Sequence, residues 1–384
     1  MSSEQKEQVV VQVLPALNQG GVERGTIEIA EALQKAGIKN YVVSAGGKMV
    51  PELTRLGVSH ITLPVNTKNP ILMLVNSYRL EKVFKNMGAS LVHVRSRAPA
   101  WSVKWATKRM KIPFIATFHG RYGLKPEVFK KPYNRVMTTG KYVIAVSAFI
   151  KNHLMKEYNV PDQKIRLIPR GADINRFNMS AISLGVLQDF AKENNIPTDK
   201  PIITLVGRLS RIKGHDVLLD ALKEMKNKEV TVLFVGGNPK AGYDAELKTK
   251  IEALSPETTV RVFACPGDKM PLVYALSDVC VQPTLVPESF GRGIAEAQAM
   301  ARVVVASNHG GACELISNNR TGFLTPVGDS KVLASVLDSV LSMPAVERQA
   351  IGLAAQESIR DNFSIQKMCD RTIALYKEIL NNEN

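Results

Sequence analysis

Cysteine is scarce in this chain, and the few residues present lie far apart. Four occur among 384 residues, Cys265, Cys280, Cys313 and Cys369, with no CxxC pair and no nearby histidine pattern. That spacing excludes a zinc ribbon or finger and offers no disulfide framework, so each is expected to be a buried thiol acting as a small hydrophobe. A DxD triplet or a His/Asp cluster that would hold a metal against phosphates is also missing, and no metal or other cofactor is expected. Long apolar runs are absent. Stretches such as Ile71–Val75 fall far short of the roughly 20 residues that cross a bilayer. The opening MSSEQKEQ is polar, without a basic segment leading into an apolar run. The expectation is a cytoplasmic protein with neither signal peptide nor membrane anchor.

Acidic residues are what the N-terminal half lacks most. Residues 1–180 hold 28 Lys and Arg against 11 Asp and Glu, residues 181–384 hold 22 against 24, and residues 70–141 hold 15 against 2. The excess of +15 is therefore an N-terminal property. Such a face attracts polyanions or an anionic lipid surface, unless it is only a solvated basic exterior. Aromatic residues make up 6%, and the basic stretch shows no stacking platform, so nucleic acid is not the expected partner. Hydrophobic residues reach 45%, enough for a full core, and the length argues for two domains.

Along the chain, β-branched runs alternate with helical periodicity, as in a parallel α/β sheet. Val9–Leu14 reads as a strand, Gly20-Gly21 as a loop and Val22–Lys35 as a helix; further strands are expected at 41–44, 91–94, 114–117 and 142–147. The pattern breaks over Ile168–Ala191, which reads as an interdomain connection. A second cycle follows, with a strand at Pro201–Val206, a basic loop Gly207–Gly214, a helix at His215–Met225 and later strands at 231–235, 261–264, 278–282 and 303–307. The expected fold class is α/β, with two Rossmann-like domains facing each other across a cleft.

Two segments carry chemistry. GRLSRIKG, Gly207–Gly214, lies where a strand ends and a helix begins. Helix N–H groups with Arg208 and Lys213 could neutralise a diphosphate there, although an isolated match of this kind also arises from ordinary surface cations. PESFGRGIAEAQA places Glu288 in a strand-to-helix loop and Glu296 about one turn into the helix. One carboxylate can accept from sugar hydroxyls and the other from a ribose, while backbone N–H groups around Phe290–Arg292 approach the ligand closely through glycine. A general acid/base pair for glycoside hydrolysis is the weaker reading, and Glu296 as a plain first-turn helix charge the bland one.

With these segments in order, the chain resembles the retaining family 4 glycosyltransferases of the GT-B fold. The resemblance rests on GGVERGTIEIAEAL, LVHVRSRAPAW, ATFHG, VIAVSAFIKNHL, IRLIPRGADINRF, VGRLSRIKGHDVLLDAL, ESFGRGIAEAQAMA, VVVASNHGGACELI and NRTGFLTPVGD, and it runs over nearly the whole chain. It implies a hexose-type transfer from a nucleoside-diphosphate sugar without a metal, to a saccharide or lipid-linked acceptor of the bacterial envelope or lipopolysaccharide type. It implies that Arg208 and Lys213 bind the diphosphate, Glu288 the donor sugar with Ser289, Phe290 and Gly291 beside it, and Glu296 the ribose. Gly20 and Gly21 would approach the phosphate and sugar, and His119 and Glu288 would stand nearest the reacting centre. Arg95 and Arg97, at a strand end, are candidate acceptor contacts, with structural duty the alternative. The implied domains are residues 1–175 for the acceptor and 176–363 for the donor, with a C-terminal helix near 364–384 packing back on the first. An epimerase or glucan synthase on the same fold is the runner-up, and a polyanion-binding protein the outsider. Ala301 and Val303 depart from the Gly and Pro common after the second glutamate, and since alanine disfavours positive φ, the turn leaving that helix is expected to differ.

Overall fold

A computed structural model describes residues 7–18, 20–122, 127–237 and 242–382. Residues 1–6, on which part of the N-terminal reading rests, and Lys125 of the basic stretch lie outside the described residues. The chain forms two compact units, Met1–Arg170 with Gln366–Asn384, and Gly171–Ile365.

The first unit holds a seven-stranded sheet: β1 (Val9–Val13), β2 (Lys39–Ser44), β3 (Ser59–Thr62), β4 (Leu91–Val94), β5 (Phe114–Phe118), β6 (Val143–Ala145) and β7 (Ile165–Leu167). Its order is β3-β2-β1-β4-β5-β6-β7, with every described pairing parallel. The crossovers are α1 (Gly21–Lys35), α2 (Val50–Arg55), α3 (Pro70–Met87), α4 (Arg97–Met110), α5 (Glu127–Arg135) and α6 (Ala148–Tyr158). Strands β1, β4 and β5 are buried at every position, which is why VVVQV and LVHV read as near-continuous apolar runs, broken by the buried Gln12 and His93, rather than alternating ones. Helix starts follow their local chemistry: the Asn69 side chain accepts from the Ile71 and Leu72 amides before Pro70–Met87, and Ser147 accepts from the Ile150 amide.

The second unit repeats the plan. Its strands are β8 (Ile202–Val206), β9 (Thr231–Val235), β10 (Thr259–Phe263), β11 (Val279–Gln282), β12 (Val303–Ser307) and β13 (Phe323–Thr325), in the parallel order β10-β9-β8-β11-β12-β13. Around them lie α7 (Leu184–Glu193), α8 (His215–Glu224), α9 (Tyr243–Glu252), α10 (Met270–Leu276), α11 (Arg292–Ala299), α12 (Ala312–Leu315), α13 (Ser330–Ser342) and α14 (Ala345–Asn362). A final helix, α15 (Ile365–Asn381), belongs almost wholly to the first unit. There the Tyr376 hydroxyl lies 2.5 Å from His93 Nδ1 on β4, and His93 Nε2 lies 2.7 Å from the Thr117 hydroxyl on β5.

Both sheets change direction beside their first strand, between β1 and β4 and between β8 and β11. In open α/β sheets the loops leaving such a pair at their carboxyl ends form the ligand crevice. The Gly20-Gly21 loop and Arg95 occupy that position in the first unit, and the 207–214 and 283–291 loops occupy it in the second.

Three expectations need correction. The stretch 168–191 is no mere connection: the chain passes between units at Arg170–Gly171, ahead of residue 175, and the following residues build the second core. Ala172 pairs with Ser364, and Phe177 is buried 5.8 Å from the Tyr274 ring. Cys280 and Cys369 are buried, but Cys313 is exposed on the short helix α12 and donates to Asn308 Oδ1. Finally, Ala301 does not reroute the turn after α11; it takes φ +55° and holds the left-handed conformation itself.

Candidate functional site

In the second unit, β8 ends at Val206 and the Gly207 amide donates to Val235 O, which turns the chain into the basic loop. Residues Arg211–Lys213 form one 3₁₀ turn, and Gly214 at φ +77° caps α8. A Cβ on Gly214 would stand 1.8 Å from Pro283 O, so only glycine lets this loop press against the loop after β11. The two are tied again where the Leu285 amide donates to Ile212 O at 2.9 Å. The three cations of the loop are sorted by their partners. Arg211 pairs with Glu246 and Asp216 on α9 and α8. Lys213 lays its stem over Gly207 and donates to Glu288 Oε1, while Arg208 is exposed.

Glu288 is half-buried, and its position is set by its own backbone. Its carbonyl accepts from the Gly311 amide at 2.8 Å. Gly310, at φ +62°, would bring a Cβ to 2.6 Å from Glu288 O, and a Cβ on Gly311 would stand 2.3 Å from Phe290 O. The HGG stretch after β12 thus exists to let one loop rest on the other. His309 of that stretch lies 3.0 Å from the Thr284 hydroxyl through Nε2, and burial lowers its pKa. Ser289 is half-buried, and the Phe290 ring sits in the core near Phe363, so only its backbone faces the turn that Gly291 closes at the start of α11.

Glu296 is buried, with both carboxylate oxygens in use. Arg292 Nε donates to Oε1 at 2.7 Å from one turn earlier, and the Tyr274 hydroxyl donates to Oε2 at 3.1 Å. Tyr274 is fully buried, and burial followed by the Glu296 charge raises its pKa well above the usual phenol range. It remains a donor at every ordinary pH. Beneath the loop, His215 is buried with Nδ1 3.3 Å from Ser210 O, and burial lowers its pKa to about 4, so it is neutral there.

The first unit gathers a second group. The Gly21 carbonyl at the start of α1 accepts from both terminal nitrogens of Arg170. The guanidinium groups of Arg170 and Arg95 pass beneath Gly25, within 3.1 Å of where a Cβ would stand. Arg95 is buried after β4, and His119 follows β5; with Thr117 and Arg170 they line a cavity of about 20 Å³, closed on one side by Met368 and Thr372 of α15. Both ring nitrogens of His119 are shielded from solvent without a hydrogen-bond partner, and so is Arg95 Nε. Burial, then Arg170 and Arg95, hold the His119 pKa well below the usual imidazole range. Its ring is neutral, able to donate from one nitrogen and accept at the other.

Arg97 does not join that cavity. Its Nη1 donates to Asn134 Oδ1 at 2.9 Å, and the guanidinium covers the Tyr122 ring at 3.9 Å. Arg95 and Arg97, two residues apart, therefore have separate surroundings. Sequence reasoning passed over Tyr274, Arg292, Arg170 and the HGG stretch as site residues. Arg170, Arg292 and the HGG stretch lie within the segments IRLIPRGADINRF, ESFGRGIAEAQAMA and VVVASNHGGACELI, whereas Tyr274 reads as one more apolar residue of a short helix.

Comparison with known proteins agrees with this architecture. Residues 19–176 match the family described as Glycosyltransferase Family 4, and residues 188–358 match Glycosyl transferases group 1. A glycosyltransferase structure from Rickettsia africae is 37% identical and superposes with a TM-score of 0.91 over 98% of this chain and 99% of its own. The Anabaena HepE structure in complex with UDP-glucose is 22% identical, with a TM-score of 0.82 over 96% of this chain and 99% of its own. A D-inositol 3-phosphate glycosyltransferase of Xylanimonas cellulosilytica is 28% identical over 62% of this chain and 60% of its own length. Two Rossmann-like units, two consecutive family matches and a close full-length structural relative lead to one conclusion: the chain belongs to the family 4 glycosyltransferases and is a transferase of the GT-B fold class.

Proposed function

We propose that this enzyme transfers a hexose-type sugar, with retention, from a nucleoside-diphosphate donor to a saccharide or lipid-linked acceptor in the synthesis of lipopolysaccharide or another envelope glycan. The observation that carries the donor half is the meeting of Lys213 with Glu288 at the β8/β11 switch point, next to the Glu296–Tyr274–Arg292 group. Lys213 and Arg208 face a diphosphate, Glu288 the sugar hydroxyls and Glu296 a ribose. The HepE complex makes a UDP-hexose the first donor to test.

In the reaction, the bond from the anomeric carbon to the diphosphate breaks with its electrons passing to the phosphate oxygen. The acceptor hydroxyl forms its bond on the same face, and its proton passes to the departing phosphate oxygen. Charge develops on the departing phosphate, where Arg208, Lys213 and loop N–H groups are aimed, and fixed donors of this kind are the strongest lever on such a step. No metal enters this reading. A neutral His119 with a depressed pKa is a poor base at neutral pH, and its role here is to hold a hydroxyl of the sugar or acceptor. Gly20 and Gly21 approach the donor phosphate and sugar, and acceptor recognition falls to the basic first unit with Arg95 and Arg97.

Thermal shift with a panel of UDP-, GDP- and ADP-hexoses tests the donor class, since a ligand that binds the folded state raises the melting temperature by mass action. Stabilisation by one nucleotide series and by its free diphosphate is expected. Indifference to the whole panel would overturn the proposal.

A further inference from the structure

Helix α3 is apolar where a soluble helix should be polar. It packs on the first unit through Met73, Asn76, Ser77, Leu80 and Phe84. The opposite side of its first two turns carries Ile71, Leu72, Leu74, Val75 and Tyr78, all exposed, with Ile71 at 73% and Tyr78 at 59%. The fold does not need these groups outside: Asn69 and Pro70 already start the helix, and the packed face is complete. A contiguous apolar patch of this kind marks an interaction surface.

Its surroundings name the partner. Further along the same exposed face, the helix carries Arg79, Lys82 and Lys85, and its only acidic residue, Glu81, is occupied by Arg109 of α4. Ser102 of α4 donates to Met73 O, and Arg109 donates to Ser77 and Glu81 while its guanidinium lies 4.3 Å from the Tyr78 ring centre. Helices α3 and α4 thus run side by side in the same direction, and α4 adds exposed Lys108. An apolar tip followed by unpaired-sign basic charge matches the boundary of an anionic bilayer, where rings and aliphatic groups enter the headgroup layer and lysines meet phosphates.

Topology gives the patch a purpose. All strands of the sheet are parallel, so α3, entered from the end of β3, begins at the same edge of the sheet as the Gly20-Gly21 loop, Arg95 and His119. We infer that the first two turns of α3 insert into an anionic phospholipid surface and hold the acceptor edge of the first unit against it. The purpose rests on the lipid-linked acceptor proposed above; the binding is a separate measurement.

The test is vesicle flotation of the full chain with phosphatidylcholine alone and with phosphatidylcholine containing phosphatidylglycerol, at low and high salt. Flotation with the anionic vesicles only, weakened by salt, is expected. The triple variant Ile71→Ser, Leu72→Ser, Leu74→Ser and the double variant Lys82→Glu, Lys85→Glu should each lower the bound fraction by about tenfold. Because these side chains are exposed, thermal melting should be unchanged. Equal recovery with both vesicle types, or flotation of the triple variant like the parent, overturns the inference. So does a parent dimer in sedimentation that the triple variant disperses, since the patch would then serve a second copy. Lost flotation with intact thermal stabilisation by a nucleotide sugar would sink the membrane surface alone, and the reverse would sink the donor reading alone.

Discussion

Lys213 and Glu288, 75 residues apart in sequence, form one ion pair across the two loops that leave β8 and β11. The cation assigned to the diphosphate and the carboxylate assigned to the sugar therefore neutralise each other, and a donor must insert between or beside them. Lys213→Ala is expected to slow transfer by about tenfold or more, since a hydrogen bond involving a charged group contributes about 1.5–3 kcal/mol. Unchanged turnover at saturating donor refutes the assignment. Glu288→Gln, which keeps the shape and loses the charge, should lower activity while leaving diphosphate binding largely intact, as read by isothermal titration with the free nucleotide.

Tyr274 is the hidden partner of Glu296. Tyr274→Phe removes one hydrogen bond and leaves the ring in its pocket beside Phe177. Among the described residues Glu296 then keeps only Arg292, and the donor KM is expected to rise several-fold with a smaller change in kcat, in line with about 1.5–3 kcal/mol for a bond to a charged group as an upper limit. A mutant with parental KM for the donor would show that Glu296 does not depend on this hydroxyl.

Ala301 is the one departure from the family pattern that leaves a measurable mark. An L-residue at φ +55° carries a cost of about 1–2 kcal/mol that glycine avoids. Ala301→Gly should raise the melting temperature by roughly 2–4 °C for each kcal/mol relieved in a unit of this size. A lower melting temperature would mean that the alanine methyl contributes more in packing than its backbone loses.

Buried histidines set an acid limit. His93, His119 and His215 all have pKa values lowered chiefly by burial, that of His215 to about 4. Below about 6.5 the unfolded chain takes up protons that these rings refuse in the folded state, so stability is complete above that pH and is lost as pH falls towards 4. Urea midpoints measured between pH 7.5 and 4.5 should fall, and His215→Phe should flatten the dependence while keeping the ring contact with Phe234. The same lowering removes His119 from the pH–rate profile: no limb near 6.5 should vanish in His119→Gln.

Much of the fold was legible because parallel strands are buried on both faces and are mostly apolar. Val9–Val13, Leu91–Val94 and Val303–Ser307 stand out for that reason. Short edge strands β3, β7 and β13 leave no such signal, since SHIT, IRL and FLT mix polar and apolar residues and are only partly buried. The 168–191 stretch misled because its first core residues, Ala172 and Phe177, are separated by turns rather than by a helical or strand period, while its end already belongs to α7 with Phe190 and Ala191 buried. Cys313 misled for the opposite reason, as an apolar residue type standing at the surface.

By itself the sequence determined the alternation of strand and helix, the glycine-bounded loops at 20–21 and 207–214, and the charged residues that those loops can carry. Periodicity and backbone chemistry act within a few residues, and these features need nothing more. Which charge meets which was decided only in three dimensions. The sheet order set β8 against β11 and so Lys213 against Glu288; packing of α10 placed Tyr274 on Glu296; and the Rossmann turn after β4 buried Arg95 beside His119 while sending Arg97, two residues on, to Tyr122. Contacts between residues far apart in the chain depend on how whole elements stack, and no local pattern records them.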